Sequence, residues 1–168
     1  ALRHFGGKIV YALGKRKLLV EKGILGNEAD ALKKIDPYFA SIPDAIKGHG
    51  FNVEQIVALN PELVFVYASM DISQIDQFEQ AGITTVAVKG ETIAESFEAI
   101  RLIADVLDCK PKGDAYIQRC QDLLDLVAKR LEGHVKNPIR VMFAGPKSVY
   151  TAATGQMLQS QILELSGA

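Results

Sequence analysis

Two short apolar runs separated by a single helical pattern constrain this chain more than any other feature. Leu63-Val-Phe-Val-Tyr67 is continuous and apolar, bounded by Pro61 and by polar residues, and Thr84-Thr-Val-Ala-Val88 is β-branched. A run without polar alternation is what a strand buried on both faces requires. Between the two, Ile72, Ile75 and Phe78 recur at helical spacing and Gly82 closes the helix. Ile93, Phe97, Ile100, Ala104 and Leu107 then mark one face of a longer helix. Strand, helix, strand and helix with tight connections predict a parallel sheet with right-handed crossovers. The expected fold class is α/β, an α/β sandwich.

The flanks extend this reading. Lys8 to Leu13 predicts a helix stopped at Gly14, and Lys15-Arg16-Lys17 reads as a solvated turn, because three adjacent charges cannot share a helix face. Leu18-Leu19-Val20 is expected as a short buried strand. Gly23 to Gly50 is loop-rich, with two helical turns over Glu28 to Ile35. Asn52 is placed to cap a helix, Gln55 completes a capping-box pattern, and Asn60-Pro61 ends that helix. Beyond Pro111 no breaker except Gly113 interrupts the chain as far as Gly133, and Cys120, Leu123, Leu124, Val127 and Leu131 form an apolar stripe. At 1.5 Å per residue such a helix is roughly 30 Å long. Ile139-Arg-Val-Met-Phe-Ala144 then reads as a new buried strand turned by Gly145-Pro146, and Gln156 to Leu165 as an amphipathic helix. A long helix leading from one α/β unit to the first strand of another predicts a spacer between two lobes. The expected organisation is a first lobe over 1–110, an interlobe helix over 111–134 and the start of a second lobe over 138–168. The helix at the far end cannot cover the apolar faces of that second unit, so the chain reads as part of a larger protein.

Composition excludes several classes. With 48% hydrophobic and 23% charged residues in 168, the chain can build a core and is not disordered. Nineteen basic against twenty acidic residues leave no field for a polyanion, so no nucleic-acid partner is expected. Two cysteines make no disulfide scaffold, and Cys109 and Cys120 are expected as separate thiols. No phosphate-binding loop, dinucleotide fingerprint, nucleophile elbow or zinc-protease motif is present, and no cofactor is expected. His4, His49 and His134 lie in separate segments, which argues against a metal site built from them.

Asn52-Val-Glu-Gln-Ile-Val-Ala-Leu-Asn-Pro-Glu-Leu-Val-Phe-Val66 resembles a phrase of the substrate-binding proteins of iron-siderophore, haem and cobalamin importers. The resemblance continues through Phe78-Glu-Gln-Ala-Gly-Ile83, Val149-Tyr-Thr-Ala152 and Leu163-Glu-Leu-Ser-Gly167, and upstream through Tyr11-Ala-Leu-Gly14. It implies two α/β lobes joined by one long helix, with the ligand held between them. Two departures stand out: the strand that opens the family's first lobe is absent, and most of the second lobe would follow Ala168. The resemblance further implies an extracytoplasmic protein, periplasmic or lipid-anchored, monomeric at full length. It would capture an iron chelate, haem or a corrinoid and deliver it to the permease of an ABC importer, without enzymatic activity. An enzyme or cofactor scaffold on a similar two-lobed fold is the alternative.

Candidate site residues follow from position. Tyr67, Ser69 and Met70 lie just past the carboxyl end of one strand, and Lys89 and Gly90 past the next, where open parallel sheets collect ligands. Read singly, Tyr67 is an amphipathic core-edge residue and Lys89 a solvated loop charge. His49, between Gly48 and Gly50, falls near the cleft by resemblance and otherwise reads as a solvated loop histidine. Glu54 stands in the first turn of the helix capped by Asn52, where the helix dipole favours a carboxylate. By resemblance the same residue docks on arginines of the permease.

Overall fold

The computed structural model describes residues 5–24, 26–43, 46–47, 50–134, 139–145, 148–153 and 155–167. In chain order these form α1 (Phe5–Ala12), a 3₁₀ turn (Arg16–Leu18), α2 (Gly26–Ile35), α3 (Pro37–Ser41), β1 (Ile46–Lys47), β2 (Gly50–Phe51) and α4 (Val53–Ala58). There follow β3 (Leu63–Tyr67), α5 (Ile72–Gln80), β4 (Thr84–Val88), α6 (Ile93–Val106), α7 (Lys110–Leu131), β5 (Ala144–Gly145), β6 (Ser148–Ala152) and α8 (Leu158–Leu165).

The strands β3 and β4 pair in parallel, Leu63 opposite Thr84 through Tyr67 opposite Val88. Side chains alternate across a strand, and the core divides accordingly. Phe65 joins Ile9 and Val10 of α1, Leu13 just beyond it, Val88, and Ile100 and Ile103 of α6 in one cluster. Val64 and Val66 join Ile56 of α4, Phe78 of α5 and Ile83 in another. Helices therefore cover both faces of the pair, and burying each large apolar side chain contributes roughly 1.5–3 kcal/mol. Capping fixes where the helices start: Asn52 Oδ1 accepts from Gln55 N at 3.3 Å, Asp71 Oδ1 from Ser73 N at 2.9 Å and Thr92 Oγ1 from Glu95 N at 3.1 Å. Gly82, at φ 75°, ends α5 in the left-handed conformation that a side chain resists.

Helix α7 runs unbroken for 22 residues, with Pro111 in its first turn. Its early turns lie against α6, where a Cβ at Gly113 would stand 2.5 Å from the Ala104 Cβ. Gly113 and Ile117 are its buried residues. The apolar stripe beyond them is only partly covered, with Leu123 54% exposed. Cys109 is buried and Cys120 half-buried, both free thiols.

Three expectations are corrected. Leu18 to Val20 is not a strand: the N–H groups of Leu18 and Leu19 bond back to Lys15 and Arg16 carbonyls at 2.9 and 3.1 Å, and only Leu19 is buried. Those local bonds satisfy the backbone that a sheet would otherwise pair. The basic run is not merely solvated, because Arg16 Nε pairs with Asp36 Oδ2 at 3.0 Å and its guanidinium lies over the Tyr38 ring. Ile139 to Phe143 is not a buried strand either. Among the described residues only Ala144 and Gly145 find a strand partner, antiparallel in β6, and Ile139 and Met142 remain 75% and 69% exposed. The β5–β6 pair forms a sheet separate from β3–β4.

Candidate functional site

The carboxyl ends of β3 and β4 are tied together by Ala68 N, which donates to the Val88 carbonyl at 2.9 Å. The turn after β3 then closes through Met70 N on the Tyr67 carbonyl, also at 2.9 Å. Tyr67 is half-buried, and its hydroxyl donates to Glu91 Oε1 at 3.0 Å. Burial raises the Tyr67 phenol most, followed by the bond to Glu91 and the negative charges of Glu91 and Glu95. A backbone hydrogen bond from Gly90 works the other way, and the phenol ends at about 12. Such a group is protonated at every physiological pH, a fixed polar point on an aromatic wall.

Tyr67 and Gly90 are thus brought together by the sheet register and by hydrogen bonding. Gly90 lies under the Phe5 ring, whose Cε2 would be 3.4 Å from an added Cβ. Ser69 and Lys89 are exposed at the same strand ends. Met70 is half-buried and packs against the Val64, Val66 and Phe78 cluster, so its thioether is engaged with the core as well as the rim. Glu54 is exposed in the first turn of α4. His49 lies outside the described residues.

Sequence reasoning missed Glu91, Glu95, Phe5 and Gln161. Glu91 adjoins Gly90 and precedes the Thr92 cap, a local signal that could have marked it. Gln161 had none, because Ile93 N reaches its Oε1, at 2.9 Å, across 68 residues. Together Tyr67, Ser69, Lys89 and the neighbouring carboxylates offer an aromatic face, a hydroxyl and charges of both signs, the ingredients of recognition in a mostly apolar cleft.

A cavity of about 320 Å³ lies elsewhere, lined by Val10, Leu19, Ile56, Pro61, Leu63 and Phe65 among others. It sits toward the amino end of β3, away from Tyr67, and most of its wall comes from residues 18–21 and from residues 59–65. Among the described residues no three His, Cys, Asp or Glu side chains gather as a metal site, and no helix is long and apolar enough to cross a membrane.

Solved structures share this architecture. The periplasmic haem-binding protein RhuT from Roseiflexus sp. RS-1, in apo form, matches with a TM-score of 0.77 at 16% identity, over 98% of this chain and 62% of its own. A periplasmic haem-binding protein from Pseudomonas aeruginosa gives 0.76 at 16% identity, over 98% and 58%. The periplasmic vitamin B12 binding protein BtuF of Vibrio cholerae gives 0.71 at 17% identity, over 98% and 62%. The chain spans about three fifths of the length of these structures. What it contains is a parallel-sheet α/β lobe, a long helix and the start of a second α/β unit. The family model described as periplasmic binding protein matches residues 5–167, and with that match and this arrangement of elements the chain belongs to the periplasmic binding protein family.

Proposed function

We propose that this chain is the greater part of a solute receptor of an ABC importer, which captures an iron chelate, haem or a corrinoid between two lobes and passes it to a membrane permease. The observation that carries the reading is the family match over residues 5–167. The relatives described as binding haem and vitamin B12 support the ligand class. In this reading 1–110 is the first lobe, 111–134 the spacer and 138–168 the start of the second lobe, and the protein works outside the cytoplasm. Tyr67, Ser69, Lys89 and Gly90 face the ligand at the strand ends, with Met70 at the rim. Glu54, exposed on α4, docks on the permease through charge.

Titration of the full-length protein with haemin, a ferric hydroxamate and cyanocobalamin tests the reading. One of the three binds saturably at one equivalent, and Tyr67→Ala weakens it about tenfold or more, as loss of an aromatic wall with a placed hydroxyl should. Absence of binding by all three overturns it. Glu54→Lys leaves that affinity intact and weakens permease binding more than Glu54→Ala does, because an attraction becomes a repulsion. Unchanged permease affinity in both variants returns Glu54 to a first-turn role worth ~0.3–1 kcal/mol.

A further inference from the structure

Residues 89–92, which join β4 to α6, make contacts in two directions. Toward the sheet, Glu91 Oε1 accepts the Tyr67 hydroxyl at 3.0 Å. Toward the far end of the chain, the Glu91 carbonyl accepts from Leu158 N at 2.6 Å, and Ile93 N donates to Gln161 Oε1 at 2.9 Å. The turn itself is closed by Glu91 N on Glu95 Oε2 at 3.1 Å.

The pairing has a physical logic. The first N–H groups of any helix lack partners within it. Thr92 supplies one to Glu95 N, while the first helical N–H of α6, that of Ile93, turns to Gln161 on α8. Helix α8 has no side-chain cap at Met157, and its first N–H, that of Leu158, turns to the carbonyl of Glu91. Two helix amino ends far apart in the sequence, one near the middle of the chain and one near its far end, therefore cap each other. The Ile93–Gln161 bond is partly buried, which shields it from competing water.

We propose that this reciprocal cap is a latch: it sets where α8 sits against the α6 amino end and, through Glu91, where the Tyr67 hydroxyl points, making Gln161 and Glu91 positioning residues of the ligand-facing surface. With its proton committed to Glu91, the Tyr67 oxygen meets a ligand as an acceptor rather than a donor. The ligand-facing role of Tyr67 rests on the function proposed above, whereas the latch itself does not.

Amide exchange and tyrosine titration in the intact protein test it without ligand. In Gln161→Ala the Ile93 and Leu158 amides exchange roughly three- to tenfold faster, the span expected for one net hydrogen bond, while the Ile103 amide in the core keeps its protection. The Tyr67 phenol, isolated by difference against Tyr67→Phe, titrates at lower pH. Gln161→Glu, which keeps an acceptor at a helix amino end, retains the protection. Glu91→Gln moves the tyrosine titration but leaves the Ile93 and Leu158 amides protected, since Gln161, which accepts from Ile93, and the Glu91 backbone carbonyl, which accepts from Leu158, both stay in place. Gln161→Met, close in shape and a weak acceptor, repeats the exchange measurement should the alanine variant fold poorly. Unchanged Ile93 exchange in Gln161→Ala or Gln161→Met overturns the latch, and faster exchange with an unmoved Tyr67 titration overturns its coupling to the site. Both readouts need no ligand, so failure of haemin, the ferric hydroxamate and cyanocobalamin to bind bears on the receptor reading alone.

Discussion

Gly113 sits where α6 and α7 come closest, and two opposing effects decide what a methyl group there would do. Alanine is the better helix former by ~1 kcal/mol. Its Cβ would meet the Ala104 Cβ at 2.5 Å, and Ala104 is fully buried, so overpacking at ~1–3 kcal/mol prevails. Gly113→Ala should lower the urea midpoint, and adding Ala104→Gly, which moves the methyl across the contact, should restore most of it. A single variant as stable as the parent would contradict this packing. The glycine read in the sequence only as a tolerated breaker is therefore a contact residue, and nothing local betrayed the helix opposite. Tyr67 was legible for the converse reason: its place at the end of an apolar run is a local property. Its partner Glu91 lies 24 residues on, and only the strand register brings the two together.

At the scale of elements, β3, β4, α5 and α6 were legible because each carries its own period, and because helices on both faces complete what the pattern demands. Helix α3 was not, although Asp36-Pro37 is a cap followed by a proline at the first helical position; it falls within the stretch Gly23 to Gly50, which reads as loop-rich. Ile139 to Phe143 failed for a different reason: apolarity nominates a strand, but a ladder partner makes one. Asp36 holds three pieces together. One oxygen accepts from Tyr38 N at 3.1 Å, and the other receives the Tyr11 hydroxyl at 2.8 Å and Arg16 at 3.0 Å. The Tyr11 hydrogen bond chiefly, then the Arg16 charge and the backbone N–H groups of Tyr38 and Phe39, hold its carboxyl below the usual range against some desolvation. A carboxyl lowered by folding stabilises the protein above its unfolded pKa of about 3.9, and that stability is lost as the pH falls through the folded value. Asp36→Asn should therefore flatten the acid side of the stability curve. Urea midpoints at pH 6 and pH 3 should differ more in the parent than in the variant, and equal differences would remove Asp36 from the account.

For the whole molecule, alternation of strands and helices was enough for the α/β class, and the long helix leading to a new apolar run pointed to a second lobe, whereas a ligand held between the lobes came from resemblance, since no period in one chain states what lies across a cleft. One feature of the whole bears on behaviour in solution. Ile139, Val141, Met142 and Phe143 form an exposed apolar run, and Leu123, Leu126 and Val127 expose another on α7. Contiguous apolar surface of this kind attracts its like, and a formal charge of −1 supplies almost no repulsion to oppose it. The osmotic second virial coefficient of the 168-residue chain should therefore be negative, and most negative near pH 6.4, where its formal charges balance. Replacing Ile139 and Met142 by lysine should turn that coefficient toward positive values in static light scattering, and a parent chain already repulsive at pH 6.4 would show that this surface is not sticky.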